Sequence, residues 1–301
     1  MLGDNVHTNH ESVQKQPIAK INRNVYTSAL DPVVVESPLE IRLSKQVGEK
    51  NEGVPLTITM RTPGDDLNLA TGFLFAEGII KNSDDIVSIK HCGSPETGRT
   101  TSNTLQVELK KHLDIDLKPI QRNFSSTSSC GVCGKSSLQA LALDNSNPVP
   151  LSDAAHVAPE TIHQLPTTLR TQQSIFEETG GLHAAALFDF SGHLLDVRED
   201  IGRHNAFDKL VGHALKQDLL TPIHRIALVS GRVSYEIMQK ALAAQIPIVA
   251  AVGAASSLAI EIAETFNITL IGFLREQRCN VYSHPYRITE KGPHENKNSK
   301  Q

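Results

Sequence analysis

The chain has 301 residues, with 29 lysines and arginines against 33 aspartates and glutamates, and a formal net charge of -4 at neutral pH. Its length suits one large or two ordinary domains, and its mild acidity excludes a general attraction to nucleic acid or anionic membranes. An anionic ligand would therefore need a local cluster of basic residues. Four cysteines are too few for a secreted disulfide framework, which predicts a reducing compartment.

Residues 1–32 are predicted to form a disordered leader. The first part of this segment is polar and lacks the basic-then-apolar order of a signal peptide. The longest weakly polar run, 246–260, contains a proline, a glycine and two serines, and it is shorter than the ~20 apolar residues that span a bilayer. We therefore expect a cytoplasmic protein without a membrane segment.

Residues 33–121 are predicted to form a small α+β domain. Short alternating runs separated by turn residues indicate strands, and an apolar stripe at helical spacing from Leu67 to Ile79 indicates a helix. The predicted strands are 33–35, 39–43, 56–60, 86–89 and 105–109.

Residues 122–150 contain the only close pair of cysteines, Cys130 and Cys133, in the run Ser-Ser-Cys-Gly-Val-Cys-Gly-Lys at 128–135. A serine-rich stretch precedes the pair, and Ser136 is placed to cap a short helix through Leu143. The pair would then lie just before a helix N-terminus, where a thiolate is favoured. A second thiol three residues on can share or resolve whatever the first one binds.

This Cys-x-x-Cys allows three interpretations: half of a structural zinc site, a redox dithiol, or a carrier of bound sulfur. Zinc needs four ligands, and the chain has neither a second Cys-x-x-Cys nor a histidine pair at finger spacing. The His-x-Glu of a zinc deaminase is absent as well, so no metal site is predicted. A thioredoxin-type motif normally follows a strand, whereas this one follows a serine-rich stretch. These observations disfavour the zinc and redox interpretations, but the residues alone exclude neither.

Residues 151–288 are predicted to form an α/β domain, followed by a disordered tail over 289–301. A helix over 159–178 is interrupted or restarted at Pro166. The later elements alternate as β-α-β-α-β, which predicts a parallel sheet with crossover helices. In chain order they are a hairpin of strands 183–190 and 193–197, a helical stripe over 207–215, strand 226–229, helix 233–245, strand 248–252, helix 256–266 and strand 268–273.

Small residues, hydroxyls and arginines follow each of the three parallel strands, in the runs 230–232, 253–257 and 272–278. Ligands of parallel sheets bind beyond the carboxyl ends of the strands, and arginine binds phosphate bidentately. The pattern therefore predicts a rim for a phosphate-bearing ligand. Arg203 and His204 could add to it, or Asp200 could simply cap the helix that follows. Cys92, Cys279 and His183 are interpreted as packing residues.

Five separated motifs resemble the formate dehydrogenase accessory sulfurtransferase family, FdhD, over roughly Val33 to Ile288. They are Ser-Cys-Gly-Val-Cys-Gly-Lys at 129–135, Thr-Pro-Gly-Asp-Asp at 62–66 with Gly-Phe-Leu at 72–74 and Glu-Gly-Ile-Ile at 77–80, Glu-Asp-Ile-Gly-Arg-His-Asn at 199–205, Ser-Gly-Arg at 230–232, and Asn-Val-Tyr at 280–282.

The resemblance implies a function. Members of this family accept sulfur from a cysteine desulfurase as a persulfide on the Cys-x-x-Cys loop. They pass it to the molybdenum or tungsten bis(molybdopterin guanine dinucleotide) cofactor before the cofactor enters formate dehydrogenase. By match, Cys130 would carry the persulfide and Cys133 would assist. The cofactor-binding residues would be Phe273, Leu274, Arg275, Glu276, Gln277 and Arg278, joined on the rim by Arg232.

The resemblance also implies a fold and partners. It suggests an α/β protein whose larger C-terminal domain is a three-layer, cytidine deaminase-like fold without zinc, beside a smaller N-terminal α+β domain. A homodimer is expected, with the desulfurase and the formate dehydrogenase apoenzyme as partners. Cys279 departs from the family pattern and raises the question of a third sulfur acceptor. The alternative functions are a non-catalytic cofactor chaperone and a thiol-disulfide oxidoreductase.

Overall fold

The computed structural model describes residues 12–47, 50–93, 102–110, 148–150, 156–220 and 224–289. Within these ranges the helices are α1 (Asp66–Ala76), α2 (Pro159–Thr171), α3 (Ser174–Thr179), α4 (Arg203–Lys216), α5 (Tyr235–Ala243) and α6 (Ser257–Thr265). The strands are β1 (Val13–Asn22), β2 (Val25–Val34), β3 (Ser37–Val47), β4 (Lys50–Arg61), β5 (Ile86–His91), β6 (Thr104–Leu109), β7 (His183–Phe188), β8 (Leu194–Asp200), β9 (Ile226–Val229), β10 (Ile248–Ala251), β11 (Thr269–Arg275) and β12 (Arg278–Val281).

The chain divides into two compact units. Unit 1 comprises Met1–Ser136, Gln173–His183 and Arg198–His213, and unit 2 comprises Ser137–Gln172, Ala184–Val197 and Ala214–Gln301. This division differs from the predicted boundaries, because two segments of the predicted C-terminal domain belong to unit 1. No helix in the described ranges is long and apolar enough to cross a membrane.

Unit 1 begins with an antiparallel two-stranded ribbon of β1 and β2, in which Val13 lies opposite Val34 and Asn22 opposite Val25. The predicted disorder is therefore wrong over residues 13–32. The segment is polar and contains two prolines, so its sequence shows no clear alternation of apolar and polar residues. The two faces become distinct only when the two strands are paired.

The second sheet of unit 1 has the order β4-β3-β6-β5, with β3 antiparallel to β4 and parallel to β6. The predicted strands of this region are confirmed, and α1 buries Leu69, Ala70 and Leu74 in the core of the unit. The helix ends three residues earlier than predicted, at Ala76. Gly78 follows it with a φ of 71°, a left-handed conformation that commonly ends helices.

Helices α1 and α4 approach so closely that only glycine fits at the contact. A Cβ atom on Gly72 would lie 1.9 Å from the Asp208 carbonyl oxygen, and one on Gly212 would lie 2.0 Å from that of Asn68. Backbone-to-backbone packing of this kind fixes α4 against the helix that follows β4.

Unit 2 contains most of a six-stranded sheet with the order β12-β11-β10-β9-β7-β8. The predicted parallel arrangement is confirmed for β9, β10 and β11, whereas β7 and β12 run antiparallel to their neighbours β9 and β11. Every residue of β9 and β10 is buried, as expected for strands covered on both faces. The mixed α/β class is confirmed, and the three-layer, cytidine deaminase-like description stays a prediction.

Helix α2 passes through Pro166 without a break, contrary to the predicted interruption there. Ile162, Leu165 and Leu169 of α2 are each 1 % exposed and belong to the apolar core that includes Phe188 and Leu228. Burial of these side chains outweighs the backbone hydrogen bond that the proline removes. The helical region is interrupted instead at residues 172–173, before α3 begins.

Candidate functional site

Cys130 and Cys133 lie outside the residues that the structure describes, so their roles stay predictions. The site that can be described is the rim at the carboxyl ends of β9, β10 and β11, all in unit 2.

The segments that follow the three parallel strands are joined backbone to backbone. The Gly253 amide donates to the Gly231 carbonyl oxygen at 2.9 Å, and the Gly253 carbonyl oxygen accepts from the Phe273 amide at 2.9 Å. The Val233 amide donates to the Ala254 carbonyl oxygen at 3.0 Å. Gly253 therefore links the segment that carries Arg232 to the segment that carries Phe273.

Close approach explains two glycines of the rim. A Cβ atom on Gly253 would lie 2.6 Å from the Gly231 carbonyl oxygen, and one on Gly272 would lie 2.8 Å from Cε2 of Tyr282. Neither position has room for a side chain. Small residues here let three backbone segments lie side by side.

The predicted cofactor-binding loop is a tight hairpin. Its residues are the end of β11, the two-residue turn Glu276-Gln277 and the start of β12, with Arg275 opposite Arg278. Six of the seven predicted rim side chains are exposed, and Leu274 is the exception because it is fully buried in the core. Leu274 could therefore contact a ligand only through its backbone. The exposed residues are Arg232, Phe273, Arg275, Glu276, Gln277 and Arg278.

Arg275 folds back onto the end of the neighbouring strand. Its Nη1 atom donates to the carbonyl oxygens of Val252 at 2.7 Å and Leu274 at 2.8 Å. These bonds orient one side of the guanidinium group. The structure thus offers three exposed arginines, Arg232, Arg275 and Arg278, on two segments that Gly253 joins, a donor set that suits phosphate oxygens.

Phe273 has a backbone conformation that is rare for a residue with a large side chain. Its φ is 51°, and its side chain is 45 % exposed where the register between β11 and β12 shifts. A positive φ is rare for a bulky residue and costs of order 1–3 kcal/mol, and such strain is concentrated at functional sites. The strained backbone is compatible with an aromatic surface for a planar ligand.

Two hydroxyls predicted on the rim take part in secondary structure. The Ser230 Oγ atom accepts a hydrogen bond from the Ala184 amide at 2.9 Å, which extends the pairing of β7 with β9. The Ser256 Oγ atom accepts from the Ala259 amide at 3.2 Å and caps α6. Neither observation supports a ligand-binding role for these hydroxyls.

In unit 1, two of the sequence motifs meet in a buried polar network. Asp200 is fully buried, and its Oδ2 atom lies 2.6 Å from Nζ of Lys209 and accepts from the Thr62 amide at 3.1 Å. Lys209 also donates to the Thr62 carbonyl oxygen at 3.0 Å. Sequence reasoning missed Lys209, although a lysine between the apolar residues Phe207 and Leu210 was a signal of a buried partner.

A second buried ion pair joins Arg61 to Asp66. Nε and Nη2 of Arg61 donate to the two carboxylate oxygens at 2.9 and 2.8 Å, and both side chains are at most 3 % exposed. Asp65 pairs with Arg198 at 3.1 Å. The aspartates of the 62–66 motif therefore stabilise unit 1.

His183 lies near Arg203 and His204 within unit 1. Burial lowers the pKa of His183, and the positive charges of Arg203 and His204 lower this pKa further, against an opposing effect of Asp200. These effects favour the neutral form of the His183 imidazole. Arg203 and His204 belong to unit 1 and the rim to unit 2, so their predicted addition to the rim stays a prediction.

Cys279 is half-buried against the core of unit 2, and burial raises the pKa of its thiol. We expect iodoacetamide to modify Cys279 in the native protein at neutral pH roughly tenfold more slowly than the same cysteine in the unfolded chain, because the thiolate is the reactive form. Peptide mass spectrometry over a time course would measure both rates. Equal rates in native and unfolded protein would show an accessible, reactive thiol.

No group of three or more histidine, cysteine, aspartate or glutamate side chains in the described ranges, which exclude Cys130 and Cys133, could hold a metal ion.

The fold is that of a mixed α/β protein with exposed arginines at the carboxyl edge of its parallel strands, and comparisons with known proteins show its family. The sequence profile of the FdhD/NarQ family matches residues 34–289. The chain is 45 % identical over 276 residues to a protein of Streptomyces coelicolor named sulfur carrier protein FdhD, covering 91 % of this chain and 95 % of that protein. A protein of the same name from Mycobacterium tuberculosis is 47 % identical, and the match covers 86 % of this chain and 92 % of that protein. Another, from Sulfolobus acidocaldarius, is 42 % identical, and the match covers 92 % of this chain and 98 % of that protein.

A solved structure is similar in fold. It is a crystal structure from Desulfotalea psychrophila described as a candidate formate dehydrogenase accessory protein, with a TM-score of 0.69 and 22 % identity, covering 92 % of this chain and all of that one. The chain belongs to the FdhD/NarQ family.

Proposed function

We propose that this protein is a sulfur carrier that takes persulfide sulfur from a cysteine desulfurase and delivers it to the molybdenum bis(molybdopterin guanine dinucleotide) cofactor for formate dehydrogenase. The observation that carries the proposal is the identity of 42–48 % over most of the chain to proteins named sulfur carrier protein FdhD. The Cys-x-x-Cys of the sequence supplies the chemistry.

The loading step needs one thiolate. The Cys130 thiolate attacks the terminal sulfur of the donor persulfide, the S–S bond of the donor breaks, and the donor leaves as a cysteine thiolate. Cys130 then carries the sulfur as a persulfide. The helix predicted to follow the pair would favour the thiolate form of Cys130.

Unloading requires two electrons if the sulfur is to leave as sulfide. Attack of the Cys133 thiolate on the inner sulfur of the Cys130 persulfide supplies them. A Cys130–Cys133 disulfide forms and the terminal sulfur departs as sulfide to the cofactor. A dithiol reductant would then regenerate both thiols. This step gives Cys133 a defined role, and it predicts that a Cys133→Ala protein loads sulfur but releases little of it without added thiol.

The rim would hold the cofactor as the substrate to be sulfurated. Arg232, Arg275 and Arg278 are exposed there and can bind the phosphates of its dinucleotide ends. The exposed ring of Phe273 can stack on a guanine base. Gly253 links both segments through its amide and its carbonyl group.

Replacing Phe273 with alanine is expected to weaken the binding of GDP, a fragment of the cofactor, by roughly tenfold, because base stacking on an aromatic ring contributes about 1–3 kcal/mol. Isothermal titration calorimetry would measure the change. Tyr286→Ala is a matched control, because Tyr286 is an aromatic residue of unit 2 with a similar exposure of 42 %. Its hydroxyl contacts Asn267 and not the predicted cofactor-binding loop, so this change should leave GDP binding unaltered. Equal binding by the Phe273→Ala protein and the original would contradict the proposed stacking.

The proposed transfer is tested by incubating the protein with a cysteine desulfurase and cysteine, followed by intact-protein mass spectrometry without reductant. The proposal predicts a gain in mass of one sulfur atom that maps to Cys130. A non-catalytic cofactor chaperone would show no gain in either the original or the Cys133→Ala protein. A thiol-disulfide oxidoreductase would show the loss of two hydrogens in the original and no gain in the Cys133→Ala protein, which cannot form the disulfide of the unloading step and should keep the added sulfur if the proposal holds. Either of these results would contradict the proposal.

A further inference from the structure

Three basic side chains of unit 1 lie close together where β7 and α4 begin. Strands β7 and β8 are neighbours in the six-stranded sheet and are joined by a tight turn, in which the Asp189 amide donates to the His193 carbonyl oxygen at 3.1 Å. The end of β8 therefore lies beside the start of β7 at His183. After two further residues, α4 starts with Arg203 and His204. We call His183, Arg203 and His204 the basic cluster.

Arg203 is the least satisfied member of the basic cluster. Its side chain is partly buried, and it makes no hydrogen bond or ion pair with another described residue. Its Nε atom is enclosed and has no acceptor. A guanidinium group carries five donor hydrogens, and an enclosed donor that lacks an acceptor is unfavourable. The arrangement therefore favours the approach of an anion to this side chain.

The two acidic residues that end β8 compensate the charge of the basic cluster only in part. The Asp200 carboxylate is fully buried and lies 2.6 Å from Nζ of Lys209. The Glu199 carboxylate accepts hydrogen bonds from two backbone amides at the start of α3, at 2.9 and 3.1 Å. Both carboxylates thus have other partners, and neither is within ion-pair distance of Arg203.

The protonation of His183 reflects this surplus of positive charge. Burial has the largest effect in lowering the pKa of the His183 imidazole, and the charges of Arg203 and His204 lower it further, whereas Asp200 opposes them. Positive charge therefore prevails at this point of unit 1. A bound anion would supply the negative charge that the acidic residues do not.

We infer that the basic cluster is a binding site for a tetrahedral oxyanion of the phosphate type. Arginine binds phosphate oxygens through paired N–H donors, and an imidazole supplies a further N–H donor. The cluster includes the first turn of α4, a helix of 14 residues whose N-terminus carries partial positive charge. A planar carboxylate offers oxygens in one plane only, so a tetrahedral anion better suits donors that come from two separate elements. The site uses residues of unit 1, whereas the rim uses residues of unit 2.

Phosphate binding to the full chain tests this inference once the rim arginines are replaced. The triple change Arg232→Gln, Arg275→Gln and Arg278→Gln removes them, and titration with inorganic phosphate followed by phosphorus NMR then measures binding elsewhere. Adding Arg203→Gln should raise the dissociation constant at least roughly tenfold, because the paired donors are lost. The matched control is Arg23→Gln, at an exposed position of unit 1 between β1 and β2, which should leave the constant unchanged.

A second variant separates loss of binding from loss of structure. His183→Gln changes the other element of the basic cluster and should also raise the dissociation constant. Both variants should keep the circular dichroism spectrum of the original, because neither replaced side chain is fully buried. Unchanged phosphate binding in Arg203→Gln or in His183→Gln would overturn the inference. So would a protein without the rim arginines that binds no phosphate, or an equal loss of binding in the Arg23→Gln control.

Discussion

Replacing Cys130 with alanine is expected to abolish formate dehydrogenase activity in cells that depend on this protein, while leaving nucleotide binding at the rim intact. The loss should be complete because no other residue supplies the first thiolate in the proposed transfer. Binding should survive because the proposed contacts with phosphate and base are made by Arg232, Phe273, Arg275 and Arg278, which this change leaves in place. The measurements are enzyme activity in a strain whose own gene is deleted and GDP titration of the purified variant.

Cys279→Ala provides the matched control for this prediction. Burial raises the pKa of the Cys279 thiol, so this residue should stay protonated and take no part in transfer. The control protein should therefore restore formate dehydrogenase activity fully. Activity in the Cys130→Ala strain would show that Cys130 is not the carrier, and loss of activity in the Cys279→Ala strain would identify a third functional thiol.

Replacing Lys209 with methionine is expected to lower the free energy of unfolding of unit 1 by about 3–5 kcal/mol, because it leaves the Asp200 carboxylate buried without its cation. Asp200 is fully buried and Lys209 is 2 % exposed. Urea titration followed by circular dichroism and by hydrogen exchange in α4 would measure the loss.

The exposed ion pair of Lys20 and Asp31 supplies the control for the buried one. Its nitrogen and oxygen atoms lie 3.7 Å apart and both side chains are well exposed, so Lys20→Met should change the free energy of unfolding by no more than about 1 kcal/mol. Similar losses in the two variants would show that the buried network contributes little to the stability of unit 1.

The parallel strands of unit 2 could be predicted almost residue by residue. Ile226 to Val229 and Ile248 to Val252 are short apolar runs bounded by glycine, proline or polar residues, and such runs predict buried strands wherever the chain places them. These features depend on local sequence, which one chain shows directly.

The features that could not be predicted depend on contacts distant in sequence. Asp200 and Thr62 are 138 residues apart, and nothing local in either motif indicates that they meet. The ribbon was missed for a different reason. Its strands flank the Asn-Arg-Asn turn at 22–24, but the polar residues of the leader favoured disorder, and the alternation of side chains becomes regular only through the pairing of the two strands. Exposure of Phe273 and burial of Leu274 also depend on the hairpin register.

Sulfur is proposed to pass through Cys130 on its way to the cofactor, and isotopically labelled sulfur follows this route most directly. Cysteine labelled in its sulfur atom would be supplied to the desulfurase, this protein and the unsulfurated cofactor. Samples taken over time would be resolved into protein and cofactor. The account predicts that the label appears first on Cys130, then leaves it as it enters the cofactor, and that the Cys130→Ala protein transfers none. Labelled cofactor formed in the presence of the Cys130→Ala protein at the original rate would contradict it.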